Sequence, residues 1–255
     1  MAIFRACLDE TGTDGRSKLM LVGGAVATPE NWNGLETDWG ELLKHFGVAA
    51  YHWKEFNDGR NIIFRSWDFS KKRSFMALQE EIISHYTSFR VAVGIDDIAH
   101  FNLKKRMRGI AGFRADSSYS LCVRWLMFHT CKELAKIDPD SQLSILVEDG
   151  PWAKGACAAY EHLTLESKKR KRAMFAQRLV GFEIAAKGKR LSLEVADYIA
   201  GCELKRFYDG NKRDKRDTLA VMLTDSLLEQ WYEWMLSEKA ARREYAQSRK
   251  ANSPS

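Results

Sequence analysis

The sequence predicts an α/β domain, and three observations carry that prediction. The chain opens with two short apolar runs joined by a turn-rich connector. Apolar runs too short for helices then alternate with long amphipathic stretches, and the composition supports a full core. With 255 residues, 45% hydrophobic side chains, eight Trp and 13 Phe, the apolar supply excludes a disordered chain. Met1 to Leu8 have neither the cationic start nor the long apolar run of a signal peptide. No run reaches the about 20 apolar residues that a membrane span needs. The expectation is a cytoplasmic protein with no membrane segment. The five cysteines (Cys7, Cys122, Cys131, Cys157, Cys202) are odd in number and scattered, with no C-x-x-C pair, and they read as reduced packing residues.

Residues 2–9 and 18–27 read as two strands of an opening hairpin, linked through Thr11-Gly12-Thr13-Asp14-Gly15. Residues 29–46 have helical spacing, with Trp32, Leu35, Trp39, Leu42, Leu43 and Phe46 on one side and Pro29 in the first turn. The stretch 51–56, Tyr-His-Trp-Lys-Glu-Phe, reads as irregular, and 70–86 as a helix. A third strand over 89–95 ends at Asp96-Asp97. A short basic helix over 98–108, a loop over 109–116 and a long apolar helix over 117–137 follow, the last stopped by Asp138-Pro139-Asp140. Residues 143–147 are too few and too apolar for anything but a buried strand, whose exit carries Glu148-Asp149. A helix begins at Pro151 or Trp152. Residues 178–186 read as a fifth strand and 191–208 as an amphipathic helix containing Glu194 and Asp197. A charged helical stretch over 213–248 takes its packing stripe from Leu219, Met222, Leu223, Ser226, Leu227, Gln230, Trp231, Trp234 and Met235, and the tail 250–255 frays.

Acids stand where an interior site would want them. Asp9-Glu10 end the first strand, Glu148-Asp149 end the fourth, and Asp197 interrupts an apolar, small-residue helix face. A carboxylate buried on such a face without a partner is costly. Hard cations such as Mg²⁺ take oxygen ligands and use few protein carboxylates, so three acids from separate segments suit them. Successive strand residues face opposite ways, so one member of each acid pair points into a site; Asp9 and Glu148 are favoured, with Glu10 and Asp149 as helpers beyond the strand ends.

These segments, taken in order, resemble a family of RNase H-like proteins known as domain of unknown function 3800. The matching motifs are Asp9-Glu10-Thr11-Gly12, then Val22-Gly23-Gly24-Ala25-Val26, then Leu146-Val147-Glu148-Asp149, and finally Leu193-Glu194-Val195-Ala196-Asp197 running on to Gly201. Thr11 stands where the family usually has Ser, and the central acid is either Glu148 or Asp149. The resemblance implies an RNase H-like mixed sheet with an N-terminal antiparallel hairpin, flanked by helices, over 1–210, with a C-terminal helical extension over 211–255. It also implies two-metal phosphodiester hydrolysis with Mg²⁺ or Mn²⁺, Asp9 bridging both ions while Glu148 and Asp197 complete their shells. The stretch 52–56 is similar to a His/Lys-containing segment of many members, which makes Lys54, with His52, a substrate-phosphate contact.

The net charge of +6 and the basic runs 71–73, 104–108, 168–172, 187–190 and 212–216 favour a polyanion such as RNA or DNA. Taken singly, each run is a solvated helix face. Arg124-Trp125 and Trp152-Lys154 offer aromatic and basic groups for stacking on single strands, although the tryptophans also serve packing. Ordinary readings stand beside these. Asp9 fits a turn after a strand, Asp149 a helix cap, Asp197 a pairing with Lys205 or Arg206, His52 a loop histidine and His129 a core residue. The sequence therefore supports a metal-dependent nuclease or, alternatively, a catalytically silent nucleic-acid-binding or regulatory module of a mobile-element, phage-defence or toxin system. The final helix offers a surface for a homodimer or a partner protein.

Overall fold

A computed structural model describes residues 2–12, 18–59, 61–107, 117–169, 171–186, 188–209, 218–223 and 227. The opening hairpin is formed by β1 (Ile3–Thr11) and β2 (Leu19–Ala27), antiparallel, with Asp9 opposite Gly23. Strand β1 runs two residues past the expected end, so Asp9 and Glu10 lie within the ladder. Every residue of β2 is buried, as a central strand covered on both faces requires.

Helix α1 (Pro29–Phe46) starts where the Thr28 side chain accepts the Asn31 N–H and Pro29 takes the first turn. It stops at Gly47, whose φ of 70° is left-handed. The stretch expected to be irregular instead forms a short helix, α2 (Trp53–Asp58), followed by α3 (Ile62–Arg65) and α4 (Phe69–Tyr86). Its Trp53 and Phe56 are buried, and that burial rewards helical winding in a run too short to show a period of its own. Then come β3 (Phe89–Asp96), α5 (Asp97–Met107), α6 (Ser118–Ile137), β4 (Gln142–Glu148) and α7 (Ala153–Lys169). A 3₁₀ segment over Lys171–Arg178 leads to β5 (Leu179–Ala185), α8 (Leu191–Asp209) and β6 (Thr218–Leu223).

The last strand corrects an expectation. Leu219, Met222 and Leu223, assigned above to a helical stripe, lie in β6, which pairs in parallel with β3, Val91 opposite Leu219. Residues 219–223 are apolar throughout, so their spacing fits both periods. The free edge of β3 decides for the strand, because it satisfies backbone groups that a sheet edge leaves open. Of the rest of that stretch only Leu227 is among the described residues.

The six strands are ordered β5-β4-β1-β2-β3-β6. Only β2 runs against the others, so the sheet is mixed and five strands end on the same side. Its two faces differ. One is aliphatic and packs Phe4, Ala6, Leu8, Val22, Ile145 and Val147 against α5, α6 and α7. The other packs Cys7, Ala25 and Leu146 against an aromatic layer from α1 to α4 and against α8. Helix α8 lies close on the hairpin: a Cβ on Gly23 would come within 2.9 Å of the Ala200 Cα, so glycine permits the approach. No helix among the described residues is long and apolar enough to cross a membrane.

Candidate functional site

The β1–β4 ladder runs up to Leu8 opposite Val147, which makes Asp9 and Glu148 neighbours on the next rung. Alternation sets their faces. Asp9 follows Cys7, and Glu148 follows Leu146, onto the side covered by α8; Glu10 follows Leu8 onto the aliphatic side. Helix α8 carries Asp197 over that first face, with Val195, Ala196, Tyr198 and Ile199 buried around it. Asp149 is exposed beyond the strand, its N–H donating to the Ala185 carbonyl at 2.8 Å. Asp9, Glu10, Glu148 and Asp197 therefore gather at one sheet end, with Asp149 exposed just beyond β4.

The electrostatics of this corner are those of crowded like charges. Burial pushes the Asp9 carboxyl well above the usual aspartate range, and the negative charges of Asp197, Glu10 and Glu148 push it further. The opposing influence is one hydrogen bond, from the Glu10 N–H to Asp9 Oδ1 at 2.9 Å. Glu10 is raised too, burial first and Glu148 and Asp197 adding to it, against a backbone hydrogen bond and a side-chain hydrogen bond with Asp9 that lower it. Tyr119, early in α6, is raised by burial and then by Glu10 and Asp9, so its phenol faces the acids from the aliphatic side. The donors are all carboxylate oxygens in a partly desolvated corner, the chemistry that a hard divalent cation accepts. Among the described residues no group of three or more His, Cys, Asp or Glu side chains is already drawn into a ligand set for one ion.

Asp197 is held from the other side. Its Oδ2 accepts the Trp53 N–H at 2.8 Å, and His52 Nδ1 lies 3.8 Å from the same oxygen. The pairing with Arg206 does not form: that guanidinium donates to Glu203 at 2.6 Å. One turn before Asp197, buried Glu194 accepts the Tyr51 N–H at 3.0 Å and the Trp39 indole N–H at 3.2 Å through Oε2. The Trp53 ring fills the place where Gly201 has no side chain, and any Cβ there would strike it. Stretch 51–53 is thus fastened to α8 at three successive residues. His52 belongs to this corner, and Lys54 is exposed on α2.

Sequence reasoning missed Glu194, Trp53 and Tyr119 as members of the site. A signal for Glu194 was present: an acid one turn before Asp197 on the same apolar helix. Trp53 acts through its backbone, and nothing in a side-chain pattern marks that. The proposed stacking groups are otherwise employed. Trp125 lies stacked on His129 with ring centroids 5.0 Å apart, and Trp152 packs on Tyr119 at 6.1 Å. Lys71 covers the Trp67 ring at 4.5 Å. The run 212–216 lies outside the described residues. No family model matches the chain, and no curated protein matches it.

Proposed function

We propose that this chain is a divalent-metal-dependent nuclease with an RNase H-like fold, related to the domain of unknown function 3800 family, in which Asp9, Glu148 and Asp197 hold Mg²⁺ or Mn²⁺. The reading is carried by one observation: the charges that act most on buried Asp9 are three other carboxylates from its own strand, β4 and α8. Like charges in a desolvated corner raise the free energy of the folded state unless a cation joins them. The mixed sheet with its opening hairpin and acids at one end supports the fold. When bound, the ions supply an activated water and neutralise the leaving oxygen of a phosphodiester.

The chain's own residues have distinct tasks in this scheme. Asp9, fixed by the Glu10 N–H, offers its second oxygen. Glu148 stands beside it on the adjacent strand, and Asp197 closes the corner from above. Glu10 assists from the sheet end, and exposed Asp149, next after Glu148, is the alternative central acid. Exposed Ile98 and Phe101 on α5, next to exposed Lys104 and Lys105, support a nucleic-acid partner, since α5 leaves the same sheet end and combines an apolar ring with cations. Lys54 and His52 remain the phosphate contacts nearest Asp197.

Purified protein incubated with labelled RNA, DNA and hybrid in Mn²⁺ is expected to cleave at least one of them, with loss of cleavage in Asp9→Ala and Asp197→Ala. Undiminished cleavage by both variants would sink the site. The Trp53 N–H on Asp197 favours a second reading, a silent binding module in which that acid only fastens stretch 51–53 to α8. Such a module shows no saturable Mn²⁺ binding while still retarding nucleic acid in a salt-dependent way.

A further inference from the structure

We infer that Glu194 is a positioning residue for Asp197, acting through the backbone of Tyr51–Trp53 to fix which oxygen Asp197 presents to a metal ion. The inference rests on the metal-centre reading above. Glu194 and Asp197 lie nearly one turn apart on α8, and each receives an N–H from the same extended stretch: Tyr51 to Glu194 Oε2, Trp53 to Asp197 Oδ2. The Trp39 indole N–H reaches the same Glu194 oxygen from α1, so the glutamate ties three elements together. Glu194 is 7% exposed, and the rings of Trp39 and Tyr51, the residues that supply its donors, and of Tyr198, which follows it on α8, pack edge to face on one another.

The consequence for Asp197 follows from its two oxygens. Among the described residues, the Trp53 N–H and the His52 imidazole both lie on Oδ2. Among the described residues Oδ1 accepts no hydrogen bond. A carboxylate held by one oxygen has its rotation about the side chain set, and it offers the other oxygen in one direction. Outer partners of this kind commonly govern ligand orientation and metal affinity. Without Glu194 the Tyr51 N–H loses its buried acceptor, the stretch shifts, and Asp197 regains the freedom to turn.

The test is Mn²⁺ titration followed by electron paramagnetic resonance on the full chain, with thermal unfolding of each variant in parallel. Glu194→Ala is expected to weaken Mn²⁺ binding about tenfold or more, and Glu194→Gln, which keeps an oxygen at the Oε2 position, to stay close to the wild type. Arg90→Met, which removes the ion pair to Glu80 and leaves the Tyr51 and Trp53 N–H contacts to α8 in place, serves as a stability control expected to keep its Mn²⁺ affinity. Wild-type affinity in a folded Glu194→Ala variant would overturn the positioning role and leave the metal centre standing. Equal weakening in Glu194→Gln and Arg90→Met would overturn it too, by tracing the effect to stability alone. No saturable binding by the wild type would overturn the metal centre itself, and the inference with it.

Discussion

Glu80 and Asp9 are both partly withdrawn from water on the side of the sheet covered by α8, and their surroundings have opposite signs. Glu80, on α4, receives the buried Arg90 guanidinium at 2.7 Å and the Tyr198 hydroxyl at 2.8 Å. Burial alone would raise its carboxyl, but the Arg90 hydrogen bond and charge outweigh it and hold Glu80 below the ordinary glutamate range. Asp9 meets acids where Glu80 meets an arginine, so every large influence except one backbone N–H acts to raise it. Among the described residues, the charges that act most on Glu80 come from an arginine, and those that act most on Asp9 come from other carboxylates. The first acid holds β3, α4 and α8 together; the second accepts the Glu10 N–H at the end of β1.

The largest effect expected from this contrast is metal-dependent stability. Mn²⁺ at a hundredfold excess over its dissociation constant should stabilise the wild type by about 2.7 kcal/mol and Asp9→Asn by far less, as read from urea unfolding with and without the ion. Next in size, Arg90→Met should cost about 2 kcal/mol in the same assay. Removing one partner strands the other, and Glu80 keeps enough contact with water to moderate the loss. Equal stability of Arg90→Met and wild type would erase the contrast. Without metal, Asp9→Asn should gain about 1 kcal/mol by relieving the crowded charges; a loss of that size would show Asp9 to be paired after all.

The smallest effect is in pH. The folded carboxyl of Glu80 lies below its unfolded value, so its contribution is complete above the unfolded value and lost as pH falls through the folded one. Between pH 7 and about 4.5 this group should hold stability level, and below that stability should decline. Glu80→Gln should remove that part of the acid decline, which unfolding curves measured against pH would reveal.

Much of the scaffold was legible before any coordinates. The hairpin, α1, α4, α6, β3, β4, β5 and α8 stand within about two residues of their expected bounds, because long periodic runs and capping residues such as Thr28 and Pro29 act locally. The short helix α5 was legible too, whereas α2 and β6 were not. Stretch 53–58 winds into a helix because Trp53 and Phe56 find an aromatic layer assembled from four other segments. Residues 218–223 become a strand because β3 has an open edge. Both outcomes depend on partners distant in sequence, and periodicity over six residues does not decide between them.

The site divides in the same way. By itself the sequence determined that acids end the first and fourth strands, and that one acid interrupts an apolar helix face. Alternation along a strand also required the two members of each pair to face opposite ways, without deciding which faces the site. Only the tertiary structure decided that β1 and β4 are neighbours with Asp9 beside Glu148, and that α8 lays Asp197 on the same face. It decided, too, that Glu194 and stretch 51–53 hold Asp197 by one oxygen. The physical reason is reach: side-chain direction is set within a few residues, whereas electrostatic crowding and hydrogen bonds between distant segments exist only once the sheet register and the close approach at Gly23 and Gly201 have brought them together.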